Sequence, residues 1–238
     1  MKKFAQIEAL RHGLVVSCQA GPGSPLDSPQ FITVMAKSAE MGGAVGLRLD
    51  RPENVAAVRA VSKLPIIGIY KMHTPGYEVY ITPTFACAEA VVRAGADLLA
   101  IDATGRPRPE GETFHEIVRR IHEELNVPVM ADVGTLGQGL QALDDGADLV
   151  ATTLATTPPF GQPEDGPAVE LAVELAKVTE RPIIVEGQIW TIEEVRACFN
   201  VGAYAIVIGS AITAPQLITQ RFVAAIPNAT DHDSRRGR

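Results

Sequence analysis

AGADLLAID, residues 94–102, recurs along the chain in three looser copies: GGAVGLRL at 42–49, DGADLVATT at 145–153 and VGAYAIVIG at 201–209. Each copy opens on Gly-Ala and runs into a short apolar stretch. Glycine suits the left-handed position just past a helix end, so each Gly-Ala reads as a turn from helix into strand. Three other apolar stretches are entered through proline: LPIIGIY at 64–70, VPVMAD at 127–132 and RPIIVEG at 181–187. Proline stops a helix and favours an extended residue before it. The two kinds of entry alternate along the chain.

With the run at 14–17, these stretches make eight short apolar runs: 14–17, 44–49, 66–70, Leu98–Asp102, 127–132, 149–153, Ile183–Glu186 and Ala205–Ile208. Runs this short and this rich in Val and Ile are what strands buried on both faces look like. The stretches between them, such as 85–94 and 193–200, carry apolar residues at helical spacing. An alternation of βα units also fits core layers supplied by odd and even strands. An open doubly wound sheet would give a similar pattern. Eight regular units in 238 residues, with no GxGxxG after the first run, favour a (β/α)8 barrel of the α/β class. No internal linker interrupts it. The expectation is one catalytic domain over 1–227, followed by a disordered polar tail at 228–238 (NATDHDSRRGR).

The formal net charge of −7 argues against nucleic acid or an anionic membrane as partner. A small anion remains possible, because helix N-termini and a lysine can make a local positive pocket. Cys18, Cys87 and Cys198 are odd in number and fit no metal spacing. They read as reduced, core-type thiols of a cytoplasmic protein. The N-terminal MKKFAQIEALRHG reads as a short amphipathic helix rather than a signal sequence. No apolar run reaches the about 18 residues of a membrane span.

In a barrel of this kind the chemistry sits where strands leave the core at their C-terminal ends. Those exits are polar here: Ser17-Cys18-Gln19, Arg48, Lys71, Asp102, Asp132, Thr152-Thr153, Glu186-Gly187 and Gly209-Ser210. Lys71 follows Ile-Ile-Gly-Ile-Tyr, so its ammonium is expected at the mouth, partly desolvated. Desolvation lowers a lysine pKa and suits it to proton transfer; a Schiff base with a carbonyl substrate is the other role open to it. Glu186 ends an apolar strand, where burial would favour a general acid. Small residues after the seventh and eighth strands, Gly187 and Gly209-Ser210, stand where phosphate often binds in this fold. His115 and His122 lie on one predicted helix without ligand spacing, and His73 lies in a loop; surface or loop roles are expected for all three. No metal site is evident.

The segments VVSCQA (15–20), YKMHTPGYEVYITPT (70–84), LLAIDATGRPRP (98–109), MADVGT (130–135), TTL (152–154), VEGQI (185–189) and GAYAIVIGSAITAPQLITQRF (202–222) resemble those of the N-acetylmannosamine-6-phosphate 2-epimerases. The resemblance runs from about residue 13 to 227 and keeps motif order and spacing. It implies a barrel, commonly dimeric, that needs neither cofactor nor catalytic metal. It also implies that Lys71 is the base, Glu186 the catalytic carboxylate, and that Gln19, Arg48 and Asp132 hold the sugar and its N-acetyl group; Thr153, at the exit of the sixth strand, is a further substrate-binding candidate. The backbone at Gly187, Gly209 and Ser210 would cradle the phosphate.

The chain departs from the family pattern at the rim. Gln188 stands where an arginine is usual, Ala214 stands for the arginine of Ile-Thr-Arg-Pro, and 155–158 reads Ala-Thr-Thr-Pro in place of Ser-Gly-Tyr-Thr. Arg106 and Arg108 are candidates to replace those cations. A related acylamino sugar, or a sugar-phosphate-binding barrel without catalysis, are the alternative readings.

Overall fold

The computed structural model describes residues 4–21, 23–162 and 166–227; the polar segment at 228–238 lies outside them. Eight parallel strands close in chain order: β1 (Leu14–Cys18), β2 (Gly46–Asp50), β3 (Ile66–Ile69), β4 (Leu98–Asp102), β5 (Val129–Asp132), β6 (Leu149–Ala151), β7 (Ile183–Glu186) and β8 (Ala205–Ile208). Leu14 pairs with Ile206 and Val16 with Ile208, which joins β8 back to β1. The barrel expected from the repeat is therefore the fold.

Around it run α2 (Pro29–Met41), α3 (Pro52–Arg59), α4 (Phe85–Arg93), α5 (Phe114–Arg120), α6 (Leu136–Asp144), α7 (Val169–Val178) and α8 (Ile192–Asn200). A short α1 (Ala5–Glu8) precedes the first strand, and α9 (Ser210–Thr213) and α10 (Pro215–Ala224) follow the last. Side chains of Ser28, Thr84, Thr113, Thr135 and Thr191 each accept a backbone N–H in the first turn of the helix they open. The four Gly-Ala entries behave as read: Gly43, Gly95, Gly146 and Gly202 have φ of 94°, 113°, 106° and 90°. A π-helical turn, Ile121–Leu125, extends α5 before Pro128.

The strands have two buried faces, and these form two cores. Val15, Ile67, Ile69, Leu98, Ala100, Met130, Leu149, Ala151, Ile184, Ala205 and Val207 pack together inside the barrel. Their neighbours one residue along, such as Val16, Leu47, Leu99, Val150 and Val185, pack outward against the helices. Phe4, Ile7 and Leu10 join the inner cluster and plug the end where the strands begin. Gly46, the first residue of β2, makes room for that plug, since a Cβ there would lie 2.6 Å from Leu10 Cδ2.

Candidate active site

Counting in twos along the inner face carries seven of the eight strands to residues at the mouth, all of them polar but one glycine. From Val15 the step leads to Ser17 and Gln19, from Gly46 to Arg48 and Asp50, and from Ile69 to Lys71. On the far wall it leads from Met130 to Asp132, from Ala151 to Thr153, from Ile184 to Glu186 and from Val207 to Gly209. Strand period and barrel closure thus gather these residues at one end. All of them but Asp132 line a cavity of about 590 Å³, to which Gly187 and Ser210 also contribute. That volume suits a small ligand.

Arg48 lies at the floor of the cavity with 2% of its surface exposed. Its Nη2 donates to Asp132 Oδ2 at 2.5 Å, and its Nη1 donates to Glu186 Oε1. Burial works against the guanidinium charge, but the two carboxylates outweigh it and hold the pKa above its ordinary value. Asp132 is fully buried and does not line the cavity; it is covered by Arg48 and by Thr153, whose Oγ1 lies 2.6 Å from Asp132 Oδ1. Burial pushes the Asp132 carboxyl up, against the pull of Arg48. Thr153 Oγ1 also lies 3.2 Å from Glu186 Oε2. Glu186 is therefore held by a cation and a hydroxyl, where the apolar strand before it pointed to a hydrophobic pocket.

Lys71 stands opposite, at the exit of β3. Its side chain is open to the solvent of the cavity, yet the surrounding barrel wall and then the Arg48 guanidinium lower its pKa; Asp50, Glu186 and Asp132 oppose that. Its ammonium forms no hydrogen bond or ion pair among the described residues. Gln19 Nε2 donates to Ser17 Oγ at 2.6 Å, while Gln19 Oε1 and Arg48 Nε are buried without a partner among the described residues. Both belong to residues that line the cavity. A buried polar atom left unpaired is costly, so these two are suited to a ligand's donor and acceptor.

The glycines of the rim have structural reasons to be there. Gly187 has φ of 106°, and a Cβ on it would lie 2.6 Å from Thr156 Oγ1. Gly209 passes β1 so closely that a Cβ would lie 3.3 Å from Ser17 Cβ. Next to Gly187, Gln188 takes a left-handed φ of 53° and accepts a hydrogen bond from Trp190 Nε1 at 3.0 Å. Arg221 lies over the Trp190 ring, its guanidinium carbon 4.4 Å from the ring centre.

Several exit residues play other parts than the sequence suggested. Asp102 binds the N–H and hydroxyl of Thr104 and the Arg106 guanidinium, away from the cavity. Arg108 donates to the carbonyls of Asp102 and Pro83. Neither arginine lines the cavity, so neither replaces the missing rim cations. His122 lies 2.9 Å from Asp148 and stacks on Phe4 at the opposite end of the barrel. Asp50, Tyr80 and Trp190 line the cavity and were not singled out; Asp50 alone had a signal, two residues past Arg48 on the inner face. His73 also lines it, stacked on Tyr80 with ring centres 4.9 Å apart. Among the described residues no cluster of three or more His, Cys, Asp or Glu is arranged to hold a metal.

Comparison with known proteins gives the family. Residues 32–228 match the family model described as "Putative N-acetylmannosamine-6-phosphate epimerase". A relative from Caldanaerobacter subterraneus subsp. tengcongensis, described as a 2-epimerase for the same compound, is 45% identical over 92% of this chain and 93% of its own. The chain belongs to this epimerase family. A Synechococcus elongatus relative with the same description is 43% identical, over 95% of this chain and 98% of its own. The solved structure of the N-acetylmannosamine-6-phosphate 2-epimerase from Clostridium perfringens superposes with a TM-score of 0.90 at 37% identity, covering 95% of this chain and 98% of that one.

Proposed function

We propose that the chain interconverts N-acetylmannosamine 6-phosphate and N-acetylglucosamine 6-phosphate by removing and returning the C2 proton. The reaction needs a base near C2 of the ring-opened sugar, because the C1 aldehyde makes that proton acidic. Lys71 is the base. Its unpaired ammonium and lowered pKa, facing Glu186 across one cavity, are the observation that carries the reading. As the C2–H bond breaks, the proton passes to the neutral amine of Lys71, its electron pair becomes the C1=C2 bond and the C1=O pair moves onto O1; protonation of C2 from the opposite face reverses these shifts and gives the epimer. Glu186 handles the proton of ring opening, and Arg48 keeps Glu186 and Asp132 aligned at the floor. A positioned base contributes about 10²–10⁴-fold, so stabilisation of the enolate-like oxygen must supply much of the rest.

The sugar hydroxyls and N-acetyl group fall to Gln19, Arg48 and Thr153, with Asp132 acting through Arg48 and Thr153. The backbone at Gly187, Gly209 and Ser210 takes the phosphate. Their common cavity and the unpaired Gln19 Oε1 support these roles. The barrel acts as one catalytic domain, in the cytoplasm, as a homodimer. The apolar surface at the end of α10 supports the last point, since Phe222 and Val223 on the helix and Ile226 just beyond it are 73%, 59% and 67% exposed. No described helix is long and apolar enough to cross a membrane.

The test is proton NMR of N-acetylglucosamine 6-phosphate with the protein in D₂O. Loss of the C2 proton signal with appearance of the manno epimer is expected, and neither in Lys71→Ala. Exchange at the wild-type rate in Lys71→Ala would remove Lys71 as the base; no exchange by the wild type would remove the substrate.

A further inference from the structure

Lys71 is attached to the barrel in an unusual way. The β2–β3 ladder runs Leu47 N–H to Pro65 O and ends with Arg51 N–H to Ile69 O at 3.0 Å. In a parallel pair the next rung would run from Lys71 N–H to the Arg51 carbonyl. Arg51 instead takes a φ of 76° and turns the chain into α3, so that rung has no backbone acceptor. The side chain of Asp50 fills the gap: its Oδ1 accepts the Lys71 N–H at 2.8 Å. On the other side Lys71 bridges Ile81, with Met72 N–H bonded to Tyr80 O and Thr82 N–H to Tyr70 O, both at 2.9 Å. Lys71 is thus clamped between a loop strap and one carboxylate. Asp50 is itself 9% exposed and lines the cavity.

We propose that Asp50 is the positioning residue for Lys71: its carboxylate replaces the missing ladder rung, fixing where the lysine side chain starts, and its negative charge offsets Arg48 at the ammonium. The inference rests on Lys71 being the base. The charged groups acting on Lys71 are Arg48 and Asp50 from β2, Asp132 from β5 and Glu186 from β7. Those acting on Asp50 are Lys71, Arg51 and Glu53. Arg48 favours the neutral amine and Asp50 the ammonium, so removing the charge of Asp50 lowers the Lys71 pKa. The neutral amine is the base, so activity rises as pH rises through that pKa. The acidic limb of the pH profile therefore moves to lower pH when the charge is lost.

The experiment compares Asp50→Asn and Asp50→Ala with the wild type and Lys71→Ala, measuring kcat, KM and the pH profile of kcat/KM for C2 exchange. Asp50→Ala loses rung and charge, and kcat should fall by about 10²-fold, the scale of a catalytic group misplaced by about 1 Å, with KM little changed. Asp50→Asn keeps an acceptor oxygen without the charge. It should recover most of that kcat, with its acidic limb at lower pH than the wild type. A wild-type kcat in Asp50→Ala, or an unmoved limb in Asp50→Asn, overturns the proposal. If Asp50→Ala does not fold, by circular dichroism, the limb of Asp50→Asn decides alone. Full exchange by Lys71→Ala would instead mean that the base was misassigned, which is a separate failure.

Discussion

Arg48 spends both terminal nitrogens of its fork on carboxylates, one of them wholly buried. An ion pair taken out of water contributes little net stability, but deleting one member strands the other. Arg48→Leu leaves Asp132 buried without its cation, and the loss should be about 3–5 kcal/mol. Urea unfolding measures it; a loss below about 1 kcal/mol would mean that water reaches the carboxylates and the triad is not dry. That Arg48, Lys71, Thr153 and Glu186 share one mouth was legible in the sequence, because period two and a closed barrel leave no other arrangement. That Arg48 would span the floor to Glu186 was not, because residues 48 and 186 meet only once the barrel has closed. For the same reason Asp132 could be placed on the inner face, while its complete cover by Arg48 and Thr153 could not. Gln188 shows a further limit. The sequence marks it only as standing where an arginine is usual, and the structure alone reveals that its Oε1 accepts from Trp190 Nε1.

The elements are held at their ends by residues chosen for backbone geometry, and here sequence reading went furthest. Gly43, Gly95, Gly146 and Gly202 each take the left-handed turn that ends a helix, and a Cβ in that region costs about 1–2 kcal/mol. The four sites are not equivalent. A Cβ on Gly43 would meet nothing within 4 Å, whereas on Gly95 it would lie 2.7 Å from Arg59 Cγ. Gly43→Ala should lower unfolding free energy by about 1–2 kcal/mol, and Gly95→Ala by more, because the Arg59 chain must also shift. Equal losses in a urea series would show that Arg59 moves freely. Strand limits were less legible: the sixth strand was expected over 149–153 but runs over Leu149–Ala151, and the side chains of Thr152 and Thr153 hydrogen-bond at the mouth. The π turn after α5 has no sequence signature, as it inserts one residue into an otherwise ordinary helical pattern.

At the scale of the whole molecule the barrel separates stability from chemistry along its axis. Phe4, Ile7 and Leu10 fill the end where strands begin, and the cavity opens at the end where they stop. The apolar side of MKKFAQIEALRHG signalled a packed helix, but nothing in one amphipathic segment says which end of a barrel it closes. Gly46 supplies that answer, because its missing Cβ is the space that Leu10 Cδ2 occupies. Leu10 is fully buried, so Leu10→Ala opens a hole in the floor and should cost about 2–5 kcal/mol. Between that floor and Lys71 lie the inner layers of Ile67, Leu98, Leu149 and Ile184 with Ile69, Ala100 and Ala151. These close-packed layers keep the cavity's shape as long as the barrel is folded. Well below its melting temperature, Leu10→Ala should therefore keep kcat and KM near the wild-type values while its Tm falls. A drop in kcat at low temperature, in protein shown to be folded, would mean that the floor and the mouth are mechanically coupled and that the barrel does not divide the two tasks.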